Sequence, residues 1–357
     1  MTAPMTLPRT QDLSEGALGV ALLHIERGDL AAARSRLAEA VAGGVSAGGN
    51  ASLFHGAPAL EFVLSRAGHV GRTVRDAVDR IVAIRLAAAR RRQAAGALPY
   101  LAEFDLVRGL TGLGALLLTR GSTSPLLKEV LGYLVSLSRP VRSEGRELPG
   151  WWSQTGPADE EMDDGHGNNG VAHGIAGVLA VASLAVRRDV QVPGQLEAIE
   201  VFTSWLHTYG CRYWITYDQL SDSQPPEPEP ARPSWCYGRI GIARAQQLAA
   251  IALKAPARQL AAEDTVARTL TDPALLALIT DATLCHGWAG LLTVARAVAD
   301  DSPTPDRFTP LIEELARRLA ADLDQLAKPG LMEGRAGAQL ALEGTNTTGW
   351  TRALLIT

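Results

Sequence analysis

Read for its apolar and polar positions, the chain alternates between two kinds of stretch. The first is apolar with almost no charge, most clearly from Gly109 to Leu118 and from Gly174 to Val186. Such a stretch predicts a helix buried on nearly every side. The second is amphipathic. Val74, Val78, Ile81 and Val82 fall at helical spacing, with Arg75, Asp79 and Arg85 on other faces. Leu311, Leu315, Leu319, Leu323 and Leu326 repeat the pattern after Thr309-Pro310. There Thr309 is expected as the N-cap, Pro310 as the first helical residue and Pro329-Gly330 as the stop.

The apolar stretches open on a recurring signature. It reads Gly16-Ala17-Leu18-Gly19, Gly56-Ala57-Pro58-Ala59, Gly109-Leu110-Thr111-Gly112, Gly174-Ile175-Ala176-Gly177, Gly238-Arg239-Ile240-Gly241, Gly287-Trp288-Ala289-Gly290 and Gly334-Arg335-Ala336-Gly337. The second copy ends on Ala59 instead of glycine. Seven copies at intervals of roughly 40 to 65 residues point to a repeat architecture. A buried helix followed by an amphipathic helix, seven times over, is satisfied by two concentric layers. The expected fold is all-α: a single α/α toroid domain over residues 1–357, with seven inner and seven outer helices. The glycine turns then mark the starts of the inner helices, all at one end.

Two stretches interrupt the pattern. Residues 139–170 carry Leu148-Pro149-Gly150-Trp151-Trp152 and an acidic run from Asp159 to Asp164, too polar and glycine-rich for a long helix. Residues 211–234 include five prolines between Pro225 and Pro233 and read as an extended loop. Within them Tyr213-Trp214-Ile215-Thr216-Tyr217 predicts a short strand. Both stretches run into glycine turns, where functional loops tend to lie.

Composition narrows the picture. Hydrophobic residues make up 46% of the 357 but aromatics only 5%, so the core must be built of Ala, Leu, Val and Ile. A net charge of −4 argues against a nucleic-acid partner. No apolar signal region follows Met1. The longest apolar run, Val171 to Val186, contains His173 and falls short of the roughly 18 clean residues of a membrane span. Three cysteines without a signal peptide suggest a reducing cytoplasm and use in metal binding or catalysis. Of these, Cys211 is expected as a buried thiol packing like a small hydrophobe.

The other two cysteines stand in Trp235-Cys236-Tyr237-Gly238 and Cys285-His286-Gly287. Two sulfurs and one imidazole form a soft donor set that Zn²⁺ takes tetrahedrally, with a fourth position open, as in catalytic sites. Cys285 and His286 can converge on one ion if they lie in a turn, which Gly287 permits. The plainer alternative is two buried cysteines and a surface histidine. His173 immediately precedes copy four, Asp105 lies four residues before copy three, and Arg232 four residues before Cys236. With all copies at one end, these groups line one mouth, and a histidine near a carboxylate serves as a general acid or base. Taken singly, His173 could equally be a core histidine, Asp105 a helix cap and Arg232 a solvated cation. His166 reads as a loop residue.

Four motifs in this order carry a resemblance: Asp105-Leu-Val-Arg-Gly-Leu-Thr-Gly112, Gly165-His-Gly-Asn-Asn-Gly-Val-Ala-His-Gly-Ile-Ala-Gly177, Trp235-Cys-Tyr-Gly238 and Cys285-His-Gly-Trp-Ala-Gly290. The sequence resembles the lanthionine synthetase C family over nearly its whole length, and the pairing of Trp-Cys-Tyr-Gly with Cys-His-Gly is the specific part. The resemblance implies a toroid of seven inner and seven outer helices and a Zn²⁺ held by Cys236, Cys285 and His286. It implies a site histidine at His173, an aspartate at Asp105, an arginine at Arg232 and aromatic positions at Tyr237 and Trp235. The activity implied is a lanthipeptide cyclase: a peptide cysteine adds to dehydroalanine or dehydrobutyrine in a precursor peptide already acted on by a dehydratase, closing a thioether ring. The alternative is a zinc-bearing thiol-binding scaffold of the same fold. A carbohydrate-active α/α barrel would need paired carboxylates at the mouth, and Asp105 has no evident second. Two departures stand out. Ile240 replaces a proline frequent in copy five, and residues 139–170 are short for the accessory lobe of some members.

Overall fold

A computed structural model describes residues 9–122, 124–222, 224, 227 and 231–357. Seven helices begin directly after the seven glycines read from the sequence. They are α1 (Ala17–Glu26), α3 (Ala57–Arg66), α6 (Leu110–Thr119), α8 (Ile175–Val186), α11 (Arg239–Ala252), α14 (Trp288–Asp301) and α16 (Arg335–Glu343). Each packs on the next, and α16 returns to α1, so the inner layer closes into a ring. Outside it lie α2 (Leu30–Val41), α4 (Arg72–Ala94), α7 (Pro125–Ser136), α9 (Gln195–Tyr209), α12 (Pro256–Thr271) and α15 (Thr309–Asp322). Single turns α5 (Leu101–Phe104), α10 (Tyr217–Ser221) and α13 (Pro273–Leu276) complete the described helices. Two of the inner helices are buried on all faces, α6 from Leu110 through Leu118 and α8 from Ile175 through Ala185. The outer ones are two-sided, as α4 is with Val78, Ile81, Val82, Leu86 and Ala89 turned inward.

The expected seventh outer helix is absent from the described residues. After Gly344 and Gly349, both at positive φ, the chain makes only a 3₁₀ turn at Trp350–Leu354. This C-terminal strap packs against the inner ring: Trp235 donates to the Leu354 carbonyl at 3.0 Å and Arg244 to the Ile356 carbonyl at 2.7 and 2.9 Å. The segment offers no amphipathic run to cover a ring of helices, and its backbone carbonyls supply the contacts instead. The start of α15 is also shifted from expectation. A 3₁₀ turn, Pro305–Phe308, runs straight into it, so Thr309 is already helical and Phe308 takes the cap position. The helix ends at Asp322, and a 3₁₀ turn at Leu323–Gln325 carries the chain on, so Leu323 and Leu326 lie beyond it.

The second glycine of each signature has a steric reason. A Cβ at Gly19, Gly112, Gly177, Gly241, Gly290 or Gly337 would collide with the carbonyl six residues earlier: that of Leu13, Leu106, Val171, Trp235, Leu284 or Leu331. Glycine lets the incoming chain cross directly over the first helical turn.

The incoming segments are joined to one another around the mouth. Leu13 N donates to Phe54 O at 2.8 Å, Leu106 N to Ala172 O at 3.1 Å and Val171 N to Cys236 O at 2.8 Å. Cys236 N donates to Cys285 O at 3.2 Å, Cys285 N to Met332 O at 3.0 Å and Met332 N to Ser14 O at 2.9 Å. The joint between copies two and three has no backbone bond among the described residues. Arg85 of α4 spans it, donating to the Ala51 and Gly49 carbonyls at 2.7 and 3.0 Å and to the Arg108 carbonyl.

Residues 139–170 hold more order than their polarity suggested. Strands β1 (Val141–Ser143) and β2 (Arg146–Leu148) form a hairpin across Glu144-Gly145, both at positive φ. Strands β3 (Ser153–Thr155) and β4 (Glu161–Asn168) join β5 (Trp214–Thr216), the strand expected there, in an antiparallel sheet ordered β3-β4-β5. Trp151 seats this lobe by edge contacts with Phe202 and Trp205 of α9, at centroid distances of 5.5 and 5.1 Å. The acidic run forms the outer half of β4 and the turn before it, where Arg108 Nη1 meets Asp159 at 2.6 Å. Most of the proline run lies outside the described residues.

Candidate metal and proton-transfer site

Each inner helix is entered through a tight turn, and in four of the seven the turn is braced by the side chain four residues before its first glycine. Asp12 Oδ1 accepts from the Ser14 and Glu15 amides, Ser234 Oγ from those of Tyr237 and Gly238, and Thr283 Oγ1 from that of His286. Asp105 occupies the same place before α6. Its Oδ1 accepts from the Arg108 and Gly109 amides at 2.6 and 2.7 Å. Functional side chains thus sit in turns whose backbone is held on both sides by neighbouring turns.

Copies five and six are adjacent in the ring, and the bond from Cys236 N to Cys285 O places their ligand turns side by side. The donor atoms of Cys236, Cys285 and His286 all lie within 4.8 Å of one another. This is the set read from the sequence, and the paired residues Cys285 and His286 occupy the turn ahead of α14 as expected. The sulfurs share a proton unequally. The Cys236 thiol is pulled down, first by the Cys285 thiol that donates to it, and Cys285 is pushed up by the same contact. His286 is raised to about 9 by its bond to Asp281 and then by Cys236. Two soft sulfurs and an imidazole at this separation fit Zn²⁺. Cys211 stands apart, half-buried on the wall of a cavity of about 470 Å³ that Arg232, Tyr213 and Trp214 also line. It is not the fully buried thiol expected, because the irregular segment after α9 leaves it at the cavity edge.

His173 closes the turn before α8. Its Nδ1 lies 2.7 Å from Asp105 Oδ2, the oxygen the α6 turn does not use, and Asp105 is fully buried. Tyr237 stacks on the His173 ring at 6.1 Å and 27°. Burial raises the Tyr237 hydroxyl well above its ordinary value, so it keeps its proton. Asn168 Nδ2 donates to that hydroxyl at 3.4 Å, and the phenolic hydrogen is free to point elsewhere.

Arg232 does not join the His173–Asp105 pair directly. Its Nη1 lies 3.9 Å from Asp281 Oδ2, on the His286 side of the mouth. Trp235 turns into the ring toward the strap and is buried. His166 is not a loop residue: it lies on β4, fully buried, with Nδ1 3.2 Å from Ser153 O and Nε2 3.3 Å from Asn168 Nδ2. It buttresses the asparagine that reaches Tyr237. Asp281 and Asn168 were not singled out from the sequence. A signal existed for the turn positions: the residue four before each first glycine is Asp12, Ser52, Asp105, Gly170, Ser234, Thr283 or Gly330, always a small or bracing type. It draws the eye to Thr283 and its partner Asp281.

With fold and site in view, the chain's membership can be stated. Residues 8–355 match the model of lanthionine synthetase C-like proteins, and the chain belongs to that family. Among solved structures it is similar to nisin cyclase, with a TM-score of 0.81 and 20% sequence identity over 97% of this chain and 92% of that one. No curated protein matches the sequence. No helix among the described residues is long and apolar enough to cross a membrane.

Proposed function

We propose that this protein is a zinc-dependent lanthipeptide cyclase. The observation that carries the reading is the coincidence, at one mouth, of the Cys236–Cys285–His286 donor set with the His173–Asp105 pair. A thiol-binding scaffold needs the first and has no use for the second. The substrate is a precursor peptide holding cysteines and dehydroalanine or dehydrobutyrine, supplied by a dehydratase. A chain with three cysteines and no disulfide among them suits a cytoplasmic setting.

Cys236, Cys285 and His286 would hold the zinc ion, whose chemistry there is to lower the pKa of a bound thiol toward neutrality. In the reaction the peptide's S–H adds across the C=C bond. The sulfur bonds to the β-carbon, the π bond breaks, and a proton is taken up at the α-carbon, with no oxidant or reductant required. Asp105 Oδ2 accepts the Nδ1–H of His173, which fixes the tautomer and steadies the imidazolium. His173 Nε2 then delivers the proton to the α-carbon. Tyr237, protonated and stacked on His173, donates to the carbonyl oxygen that carries the developing charge. Arg232 supports the same charge from the Asp281 side.

The test is incubation of the purified, zinc-loaded protein with a dehydrated precursor peptide. Ring closure is read by protection of cysteine from alkylation at unchanged mass. Zinc bound with no protection of any dehydrated peptide would favour the scaffold.

A further inference from the structure

We propose that Asp281 is a positioning residue for the metal centre, accepting the Nε2–H of His286 so that Nδ1 is left to bind metal, and linking Arg232 to the same edge. The inference rests on the reading of Cys236, Cys285 and His286 as zinc ligands and goes beyond it by assigning the nitrogen and the residue that selects it.

The geometry is as follows. Asp281 Oδ2 lies 3.2 Å from His286 Nε2 and 3.9 Å from Arg232 Nη1. Its other oxygen, Oδ1, accepts from the Thr283 amide at 2.8 Å and the Thr283 hydroxyl at 2.6 Å. Thr283 Oγ1 in turn accepts from the His286 amide at 3.3 Å. The carboxylate is thus fixed by the turn that carries the ligand, and it cannot swing away without opening that turn. Trp288 N donates to the Asp281 carbonyl at 3.1 Å, which fastens the same residue to the first turn of α14. A Cβ at Gly287 would collide with Asp281 Oδ1 and with the Asp281 carbonyl, so the glycine after the histidine makes room for the carboxylate.

The physical consequence follows from imidazole chemistry. A metal-bound imidazole is neutral and has one N–H, and the nitrogen carrying that hydrogen cannot bind metal. A carboxylate at Nε2 holds the hydrogen there, orients the ring and raises the basicity of Nδ1. Loss of such a partner in metal sites weakens affinity by about 10- to 100-fold. The arrangement parallels that on the other side of the mouth. Asp105 gives one oxygen to its turn and the other to His173, and Asp281 gives one oxygen to its turn and the other to His286.

The experiment compares wild type with Asp281→Ala, Asp281→Asn and Thr283→Val, none of which alters a ligand. Zinc affinity is read by chelator competition, and the His286 tautomer by ¹⁵N NMR of histidine-labelled, zinc-loaded protein. Asp281→Ala is expected to bind zinc about 10- to 100-fold more weakly and to lose the single Nε2–H tautomer. Asp281→Asn keeps a carbonyl that accepts from Nε2–H, so it should retain the tautomer with a smaller loss of affinity. Thr283→Val removes the hydroxyl bond to Oδ1 but keeps the amide of residue 283 that holds the carboxylate, so it should retain tautomer and affinity while melting at lower temperature. Wild-type affinity and tautomer in Asp281→Ala would overturn the proposal, as would an equal loss of affinity in Thr283→Val. If wild type itself takes up no zinc, the metal reading fails instead, a result separate from either of these.

Discussion

Asp105 divides its two oxygens between its turn and His173: Oδ1 accepts from the Arg108 and Gly109 amides at the entrance to α6, and Oδ2 lies 2.7 Å from His173 Nδ1. Substitutions at this residue therefore separate the two tasks. Asp105→Asn keeps an oxygen for the turn but presents N–H or neutral oxygen to His173. Its melting temperature should stay near wild type while cyclisation slows by about 10²–10⁴-fold. Asp105→Ala removes both, and should additionally lose about 1–2 kcal/mol of stability, the worth of a cap in a turn of this kind. Denaturation and cyclisation rates measured on the same samples decide it; equal stability of the two variants would contradict the division.

His173→Asn should retain zinc and peptide binding, since neither uses the imidazole. Ring closure should slow by about 10²–10⁴-fold. Single-turnover cyclisation of one dehydrated peptide, with zinc content and melting temperature measured alongside, is the check. A folded, zinc-loaded variant that cyclises at the wild-type rate would remove the acid role.

Elemental analysis separates the three cysteines. Cys236→Ala and Cys285→Ala are expected to purify with little zinc, and Cys211→Ala, on the cavity wall, with a full complement. Equal loss in all three would mean the ligand set is wrong.

Away from the mouth, Asp301 bonds Arg187 at 2.7 Å and the buried Arg244 at 2.7 Å. Burial alone would raise its pKa, but these arginines outweigh burial and hold the carboxylate below its ordinary 3.8. A group depressed in the folded state contributes stability that is fully present above the unfolded value and lost as the pH falls through the folded one. Asp301→Asn should cost about 2–4 kcal/mol at neutral pH, because it leaves Arg244 buried without its counter-charge. It should also flatten the fall in stability below about pH 4. Urea unfolding at pH 7 and pH 3 reads both effects.

Much of this was legible in the chain. In six of the seven copies the second glycine marks a steric event, a carbonyl crossing a helix start, and such an event demands one residue type; the copy with Ala59 is placed by its first glycine, Gly56, alone. Cys236, Cys285, His286, Asp105 and His173 were legible for the same reason, since each precedes a marked turn. The outer boundary was less visible. Leu323 and Leu326 continue the apolar spacing past the end of α15, because a 3₁₀ turn can bury the same side as a helix. The strands of the lobe were hidden by their polarity: the outer part of β4, Glu161-Met162-Asp163-Asp164, faces solvent, and the buried part is Gly165-His166-Gly167-Asn168. Its packing is supplied by Trp152 and by Trp205 of α9, outside the strand itself. Asp281 was missed because its role depends on a neighbour's ring nitrogen, which no spacing reveals.

The way the mouth is joined has a consequence for how the sequence can drift. Six of the seven joints are made by peptide groups, which almost any residue supplies, so the joint itself makes no demand on the side chain there. The remaining joint rests on one guanidinium, that of Arg85, reaching in from the outer layer to the carbonyls of Gly49, Ala51 and Arg108. A lysine has too few donors in a fixed plane to span them. At this one joint a single side chain with no part in the chemistry therefore carries what peptide groups carry at the other six, so substitution of Arg85 is felt in the closure of the ring.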